Sequence, residues 1–334
     1  MAICQTEVSA EGFDIIRLEN AGMSVSIMPQ LGGKIYQILD LKTGRDWLWK
    51  NPHIPLRHPQ PGLNYEKELD SGGWDEILFS VKPCSLESDD GQVLSFGDHG
   101  AVVEKAWQIV NVGVDDKGNA ICELFVEGQY PHFRLNRRIV LNPELARLDI
   151  EYQLTNSGTY PWPWLWCAHP LLAIEDGMII NLAAGQAIRT DPGSPSCHVD
   201  NIKEQSWPSL VSPAGEAIDL AAIFDTSTEP ETFCAKLFVE SDEEVSVRTA
   251  SGSESLSIMY KPGEIPWLGL WINKNAWSGC GSEPYVNLGL EPATSPHDTL
   301  SQAIAHGEST VLEAGRTTQW SLTVCLNNTV STHD

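Results

Sequence analysis

Basic residues are scarce in this 334-residue chain, with 21 Lys and Arg against 45 Asp and Glu and a formal charge of -24. Such a surface repels polyanions, so nucleic acid and anionic membranes are poor partners, while a neutral ligand is indifferent to the field. Long apolar runs are missing too, and no stretch approaches the roughly 18 apolar residues of a membrane span. Met1 to Glu11 has no basic segment leading into an apolar one, which argues against a secretion signal and gives a cytoplasmic expectation. The eight cysteines (Cys4, Cys84, Cys122, Cys167, Cys197, Cys234, Cys280, Cys325) lack the short paired spacings of zinc or redox sites, and read as reduced thiols.

Several catalytic signatures are also absent. No Gly-x-Ser-x-Gly elbow occurs; the nearest cluster, Ser251-Gly252-Ser253, does not fit it. Neither a Walker sequence nor a Gly-x-Gly-x-x-Gly fingerprint is present, so nucleotide cofactors have no support. His99, His169 and Glu291 are too far apart in sequence to be diagnostic of a metal triad, and no metal is expected.

What recurs is alternation of apolar and polar residues, as in Met23, Val25 and Ile27, in Leu148, Ile150, Tyr152 and Leu154, and in Trp320, Leu322 and Val324. This is the period of half-buried strands. Further strands are expected at 101–109, 120–127, 133–141, 178–182, 235–240, 245–249, 256–260, 267–273 and 286–291, with Asp90-Gly91 and Lys117-Gly118-Asn119 as hairpin turns. Helical pattern is confined to Glu216–Phe224 and Asp298–His306, the second with Asp298 as N-cap. Many antiparallel strands with few short helices predict an all-β sandwich or barrel. No repeat of 20–50 residues supports a propeller, and the Ser- and Pro-rich stretch Thr190–Pro213 reads as a loop or flap within one domain spanning 1–334.

Four segments set ionisable groups beside Gly, Pro or Trp: Gly72-Gly73-Trp74-Asp75-Glu76, Asp98-His99-Gly100, Trp164 to Pro170, and Leu288-Gly289-Leu290-Glu291-Pro292. With Leu288 and Leu290 on the core face of a strand, Asn287, Gly289 and Glu291 share the other, and Gly289 leaves room for a bound ring. An exposed Glu at a strand end is the bland reading. In 267–273, Leu268, Leu270 and Ile272 share one face, and Trp267, Gly269, Trp271 and Asn273 the other. An indole packs on the C–H face of a sugar while an amide takes its hydroxyls; a Trp stripe is otherwise plain core. His169, at the end of an aromatic strand before Pro170, is either a cleft residue or a core histidine, and His99 has the same ambiguity.

Taken in order, these segments resemble the aldose 1-epimerase (galactose mutarotase-like) family over nearly the whole chain. The resemblance runs through Pro29 to Ile35, Leu41 to Leu48, Asp98-His99-Gly100, Arg137 to Leu141, Tyr152 to Asn156, Ala168-His169-Pro170, Trp271, Leu290 to Thr294 and Leu312 to Arg316. It implies a large twisted antiparallel β-sandwich, or supersandwich, that binds a hexose on an open sheet without a cofactor. It further implies Glu291 as general base, His169 as general acid and His99 as a helper that positions or polarises the sugar. Trp74, Asp75 and Glu76 look like the segment of uncharacterised members and are expected in the sugar site with Trp271, Asn273 and Arg138. Characterised mutarotases carry an Arg and an Asn near the first His, where this chain reads differently, so galactose itself does not carry over. A non-catalytic carbohydrate-binding protein and a glycoside lyase or hydrolase remain open, as does a sugar phosphate held by Lys34, Arg137 and Arg138. A monomer or homodimer is expected.

Overall fold

A computed structural model of the protein describes residues 1–60, 62–87, 91, 93–190, 205–212, 215–279, 281 and 283–328. Alternation becomes strand as expected: in Arg147–Asn156, Leu148, Ile150, Tyr152 and Leu154 are buried, while Arg147 and Glu151 face solvent. Side chains on a strand point to opposite faces in turn, so each such segment contributes one face to a core.

Two large antiparallel sheets result. The first has nine strands in the order Ile3–Val8, Asp14–Glu19, Met23–Met28, Lys34–Asp40, Trp74–Leu78, Trp166–Leu172, Val286–Ala293, Trp267–Lys274 and Phe233–Glu240. The second has eight, in the order Ile179–Asn181, Glu244–Arg248, Glu254–Tyr260, Thr317–Asn328, Arg147–Asn156, His132–Leu141, Ala120–Gln129 and Gln108–Val114. Both contribute to one apolar cluster, with Leu268, Leu270, Leu288 and Leu290 from the first and Leu135, Ile150, Ile258 and Leu322 from the second. The central strands of the nine-stranded sheet are buried on both faces: every residue of Trp74–Leu78 and Trp166–Leu172 is buried. A single sandwich core explains one face only. The other is covered by loops and by a π-helical turn, Tyr65–Leu69, and there the polar residues collect.

Three local expectations fail. Residues 101–109 do not form one strand: turns run from Gly97 to Lys105 and pairing begins at Gln108. An apolar run such as Ala101-Val102-Val103 buries equally well in a turn, and periodicity alone does not separate the two. Glu216–Phe224 is not helical; Ala217–Asp219 pairs with Ser209–Val211, burying Ile218 and Leu210. Cross-strand burial here overrides a weak helical propensity. The last helix does form, as Leu300–Ala305, but its N-cap is Thr299, whose Oγ1 accepts the Gln302 N–H at 3.3 Å. Asp298 is thereby left for another role. Asp90 and most of Thr190–Pro213 lie outside the described residues.

Candidate active site

Strand register builds the site. Asp75 pairs with His169, and Glu291 with Gly269. Cys167 pairs with Ala293 and Leu171 with Gly289, which sets His169 opposite Glu291. Pro170 has no N–H, and it falls where the ladder to Val286–Ala293 is interrupted. Asp75, His169, Glu291 and Gly269 thus form a row across four strands on the face turned away from the core. The sequence suggests that His169 ends an aromatic strand; in the fold it sits mid-strand in the centre of the nine-stranded sheet, after a break at Leu165.

Lys236 reaches this row from the outermost strand. Its ammonium bonds Glu291 Oε2, and His169 Nδ1 lies 3.2 Å from Oε1. That second contact is close enough for ion pairing but too poorly directed for a hydrogen bond, and both atoms are buried without a hydrogen-bond partner. Two glycines make the cluster possible. A Cβ on Gly269 would stand 3.1 Å from Lys236 Nζ, and one on Gly289 would meet Glu291 Oε1 at 2.5 Å. The space above Gly289 is therefore filled by the carboxylate itself. Gly289→Ala is expected to push Glu291 off its position and to lower any Glu291-dependent turnover by about 10²-fold, the scale of an ångström's misplacement. Steady-state kinetics beside a thermal melt check this, and wild-type turnover would refute it.

Glu291 is fully buried. Burial raises its pKa, but the Lys236 ammonium and then His169 outweigh that, and hold the carboxyl well below the usual carboxylate range. Lys236 is correspondingly pushed up: burial opposes its charge, and Glu291, Asp298 and Cys167 overcome the penalty. Cys167 Sγ donates weakly to Glu291 Oε2 at 3.5 Å, and its thiol is raised by burial and by that carboxylate.

His99 faces His169 across the cleft, ring centroids 5.1 Å apart. It occupies a left-handed turn at φ 60°, followed by Gly100 at φ 85°, where a Cβ would meet Leu78 O at 2.4 Å. Nδ1 pairs with Asp98 Oδ1 at 2.9 Å, which leaves Nε2 for a ligand. Burial lowers the His99 pKa, yet the hydrogen bond and charge of Asp98 prevail and the net shift is upward. Tyr65 stacks on His99 with ring centroids 3.7 Å apart and stands edge-on to His169 at 6.1 Å, and its hydroxyl donates to Asp75 Oδ2 at 2.6 Å. Asp75 also bonds Lys34 and lies beneath the cleft rather than in it.

The cleft opens to solvent and is completed by Glu66, Asp70, Val81, Lys82, Leu171, Trp271, Trp277, Tyr285, Asn287 and Asp298. Trp271 Nε1 donates to Asn287 Oδ1 at 3.1 Å, and Trp277 stands edge-on to Trp271.

Of the residues expected from sequence, His99, His169, Glu291 and Trp271 line the cleft. Asn273 supports it, donating to Trp277 O at 3.0 Å and accepting the N–H groups of Ala276 and Trp277. Trp74 and Glu76 are not in the cleft. They alternate with Asp75 and point into the core, where Glu76 accepts from Arg137, Tyr152 and Trp166. Arg138 lies on the outer face of the eight-stranded sheet between Glu123 and Glu151, because it alternates with the inward Arg137. Sequence reasoning missed Lys236, Tyr65, Asp70, Lys82, Tyr285, Trp277 and Asp298. Only Lys236 left a signal, a lone cation inside the apolar strand Phe233–Val239.

Residues 10–326 match the family model described as a domain of unknown function, DUF4432. The chain belongs to this family. No curated protein matches the sequence. Solved structures do match in fold. A galactose mutarotase-like protein from Clostridium acetobutylicum superposes with a TM-score of 0.67 at 13% identity, covering 98% of both chains. A galactose mutarotase related enzyme from Lactobacillus acidophilus gives 0.64 at 13%, over 95% of this chain and 98% of that one. A galactose mutarotase-like protein from Lactobacillus casei gives 0.64 at 12%, over 94% and 100%. At these identities the likeness establishes the fold, a galactose mutarotase-like β-sandwich.

Proposed function

We propose that the protein is an aldose 1-epimerase-like isomerase that interconverts the α and β anomers of a hexose. The observation that carries this reading is the contact of His169 Nδ1 and Glu291 Oε1 at 3.2 Å on the cleft wall. O1 and O5 of a pyranose are both bonded to C1, so an acid and a base serving them must stand side by side. Glu291 takes the O1 hydroxyl proton as C1=O1 forms, the C1–O5 bond breaks, and O5 receives a proton from the His169 imidazolium. Rotation about C1–C2 and reclosure then present the other anomer. His99, held by Asp98 and Tyr65, polarises a sugar hydroxyl through Nε2, while Trp271 and Trp277 offer apolar faces to the ring.

The charges of the cleft favour a neutral sugar. Lys236 is engaged by Glu291, Lys82 lies 3.7 Å from Asp298, and the other titratable groups lining the cleft include the carboxyls of Glu66 and Asp70, both raised by burial. A phosphate is better served by convergent Arg and Lys. Polarimetry on freshly dissolved α-glucose, α-galactose and other unphosphorylated aldoses should show equilibration faster than the spontaneous rate, and faster than for the 6-phosphates. A broad panel left at its spontaneous rates would remove the enzymatic reading; a preference for phosphates would remove the neutral-substrate part alone.

One observation favours the second reading, a carbohydrate-binding protein without turnover: Glu291 is held by Lys236 as a weak base. Saturable sugar binding without faster anomerisation is what that reading predicts.

A further inference from the structure

We propose that Lys236 is a catalytic residue, whose ammonium donates to the C1 oxygen of the bound sugar and stabilises the negative charge growing there as Glu291 removes the hydroxyl proton. This rests on the epimerase reading given above.

The geometry comes first. Lys236 lines the cleft, sits on the same carboxylate as His169, and passes close over Gly269, where a Cβ would crowd its ammonium at 3.1 Å. Any hydroxyl that approaches Glu291 to surrender a proton therefore approaches the ammonium as well. A buried ion pair that merely held strands together would be replaced by apolar groups at little cost, so its place on the cleft wall calls for a chemical account.

The ammonium has opposed effects on the base. It keeps Glu291 ionised, and so ready to accept a proton, but it also lowers the affinity of the carboxylate for that proton. The second effect is offset if the same cation follows the charge. As the proton reaches Glu291, the carboxylate loses its hold on Lys236 while O1 gains negative charge beside it, and the hydrogen bond passes from one oxygen to the other. Preorganised donors aimed at developing charge act strongly in a dry site. The step balances: O1–H breaks and its proton goes to Glu291, the electron pair forms C1=O1, C1–O5 breaks, and O5 takes the His169 proton. Lys236 stays an ammonium throughout, and no electrons enter or leave.

Charged and titratable groups around Glu291 are Lys236 from Phe233–Glu240 and His169 and Cys167 from Trp166–Leu172. Asp298, past the end of Val286–Ala293, acts on Lys236. The strand Trp267–Lys274 presents Gly269 there and adds no charge. With Lys236 removed, the first of the groups opposing burial is lost and Glu291 protonates at higher pH, with His169 still opposing.

The test compares kcat, KM and the pH profile of anomerisation for wild type, Lys236→Met, Lys236→Arg and Gly269→Ala. Lys236→Met should lower kcat by about 10²–10³-fold, the scale of one lost transition-state donor. Its acid limb in kcat/KM should move to higher pH, with KM little changed. Lys236→Arg should recover part of kcat and restore the acid limb, and Gly269→Ala, which crowds the ammonium without removing it, should fall between. A role confined to pairing with Glu291 would lower the melting temperature and move the acid limb, yet leave kcat at wild type on the plateau above that limb. If Lys236→Met does not fold, Gly269→Ala decides, and wild-type kcat in that variant overturns the inference. Lys236→Met turning over at the wild-type kcat above its acid limb overturns it, wherever that limb falls, and leaves the epimerase standing. A wild-type protein that equilibrates no aldose overturns both.

Discussion

Glu291→Gln is expected to lose anomerisation by about 10²–10⁴-fold, the contribution of a positioned proton-transfer group. The amide keeps the shape and cannot take the O1 proton at neutral pH. It also deprives Lys236 of its counter-charge in a site with no exposed carboxylate surface, and breaking one partner of a buried pair costs about 3–5 kcal/mol. Activity and stability should therefore fall together. Glu291→Asp separates them, because it keeps the charge near Lys236 but withdraws the oxygens from the reacting hydroxyl. The aspartate variant should melt closer to wild type and still be impaired by at least about tenfold, since a misplacement of an ångström is enough to cost that much. Polarimetry at matched folded concentration, with a melt for each variant, reads both. Turnover in Glu291→Gln within a few-fold of wild type would refute the assignment of the base.

The second large effect is on stability alone. Arg137→Met is expected to destabilise the fold by about 3–5 kcal/mol, because it leaves Glu76 ionised between the sheets without its cation. Glu76 would keep the Tyr152 hydroxyl at 2.7 Å and the Trp166 indole N–H at 2.9 Å, while Gly33 O would lose its guanidinium donor. Burial already raises the Glu76 pKa, with Arg137 the first of the groups opposing it. Removing Arg137 raises it further above the unfolded value. A folded state that binds the extra proton is favoured at low pH, so the variant should lose stability as pH climbs from the unfolded carboxylate pKa through the raised folded one. Glu76→Gln with Arg137→Met should be less destabilised than Arg137→Met by itself, since no buried charge remains unpaired. Chemical denaturation across pH measures all three, and a single variant as stable as wild type near neutral pH would refute the account. The network faces away from the cleft, so turnover per folded molecule should hold.

Much of the architecture was legible along the chain. Period-two alternation placed most strands of the eight-stranded sheet but fewer than half of the nine-stranded one, missing Ile3–Val8, Asp14–Glu19, Lys34–Asp40 and Trp74–Leu78, while the faces of Trp267–Lys274 and Val286–Ala293 were correctly divided into leucine and polar sides. Alternation is a local property, and burial of one face enforces it residue by residue. The same rule applied to Trp74-Asp75-Glu76 would have separated Asp75 from its neighbours. Taking the three as one motif put Trp74 and Glu76 in the cleft, whereas the pleat sends them into the core. Arg138 was misplaced for the same reason, with Arg137 one residue earlier pointing inward.

Alternation suggested that Glu291 reaches a ligand-facing surface, whereas it left His169 open between cleft and core, and the resemblance supplied the roles of both. Nothing local joins them, for 122 residues separate the two and only the register of Trp166–Leu172 on Val286–Ala293 sets them opposite. Lys236 belongs to a third strand and enters through a gap made by the absent side chain of Gly269. The sequence by itself determined the kinds of group available, an all-β scaffold and a chain poor in cations. Tertiary structure decided that Glu291 meets a lysine as well as a histidine, because long-range pairing and burial, which set both distance and dielectric, are properties of the assembled sheet.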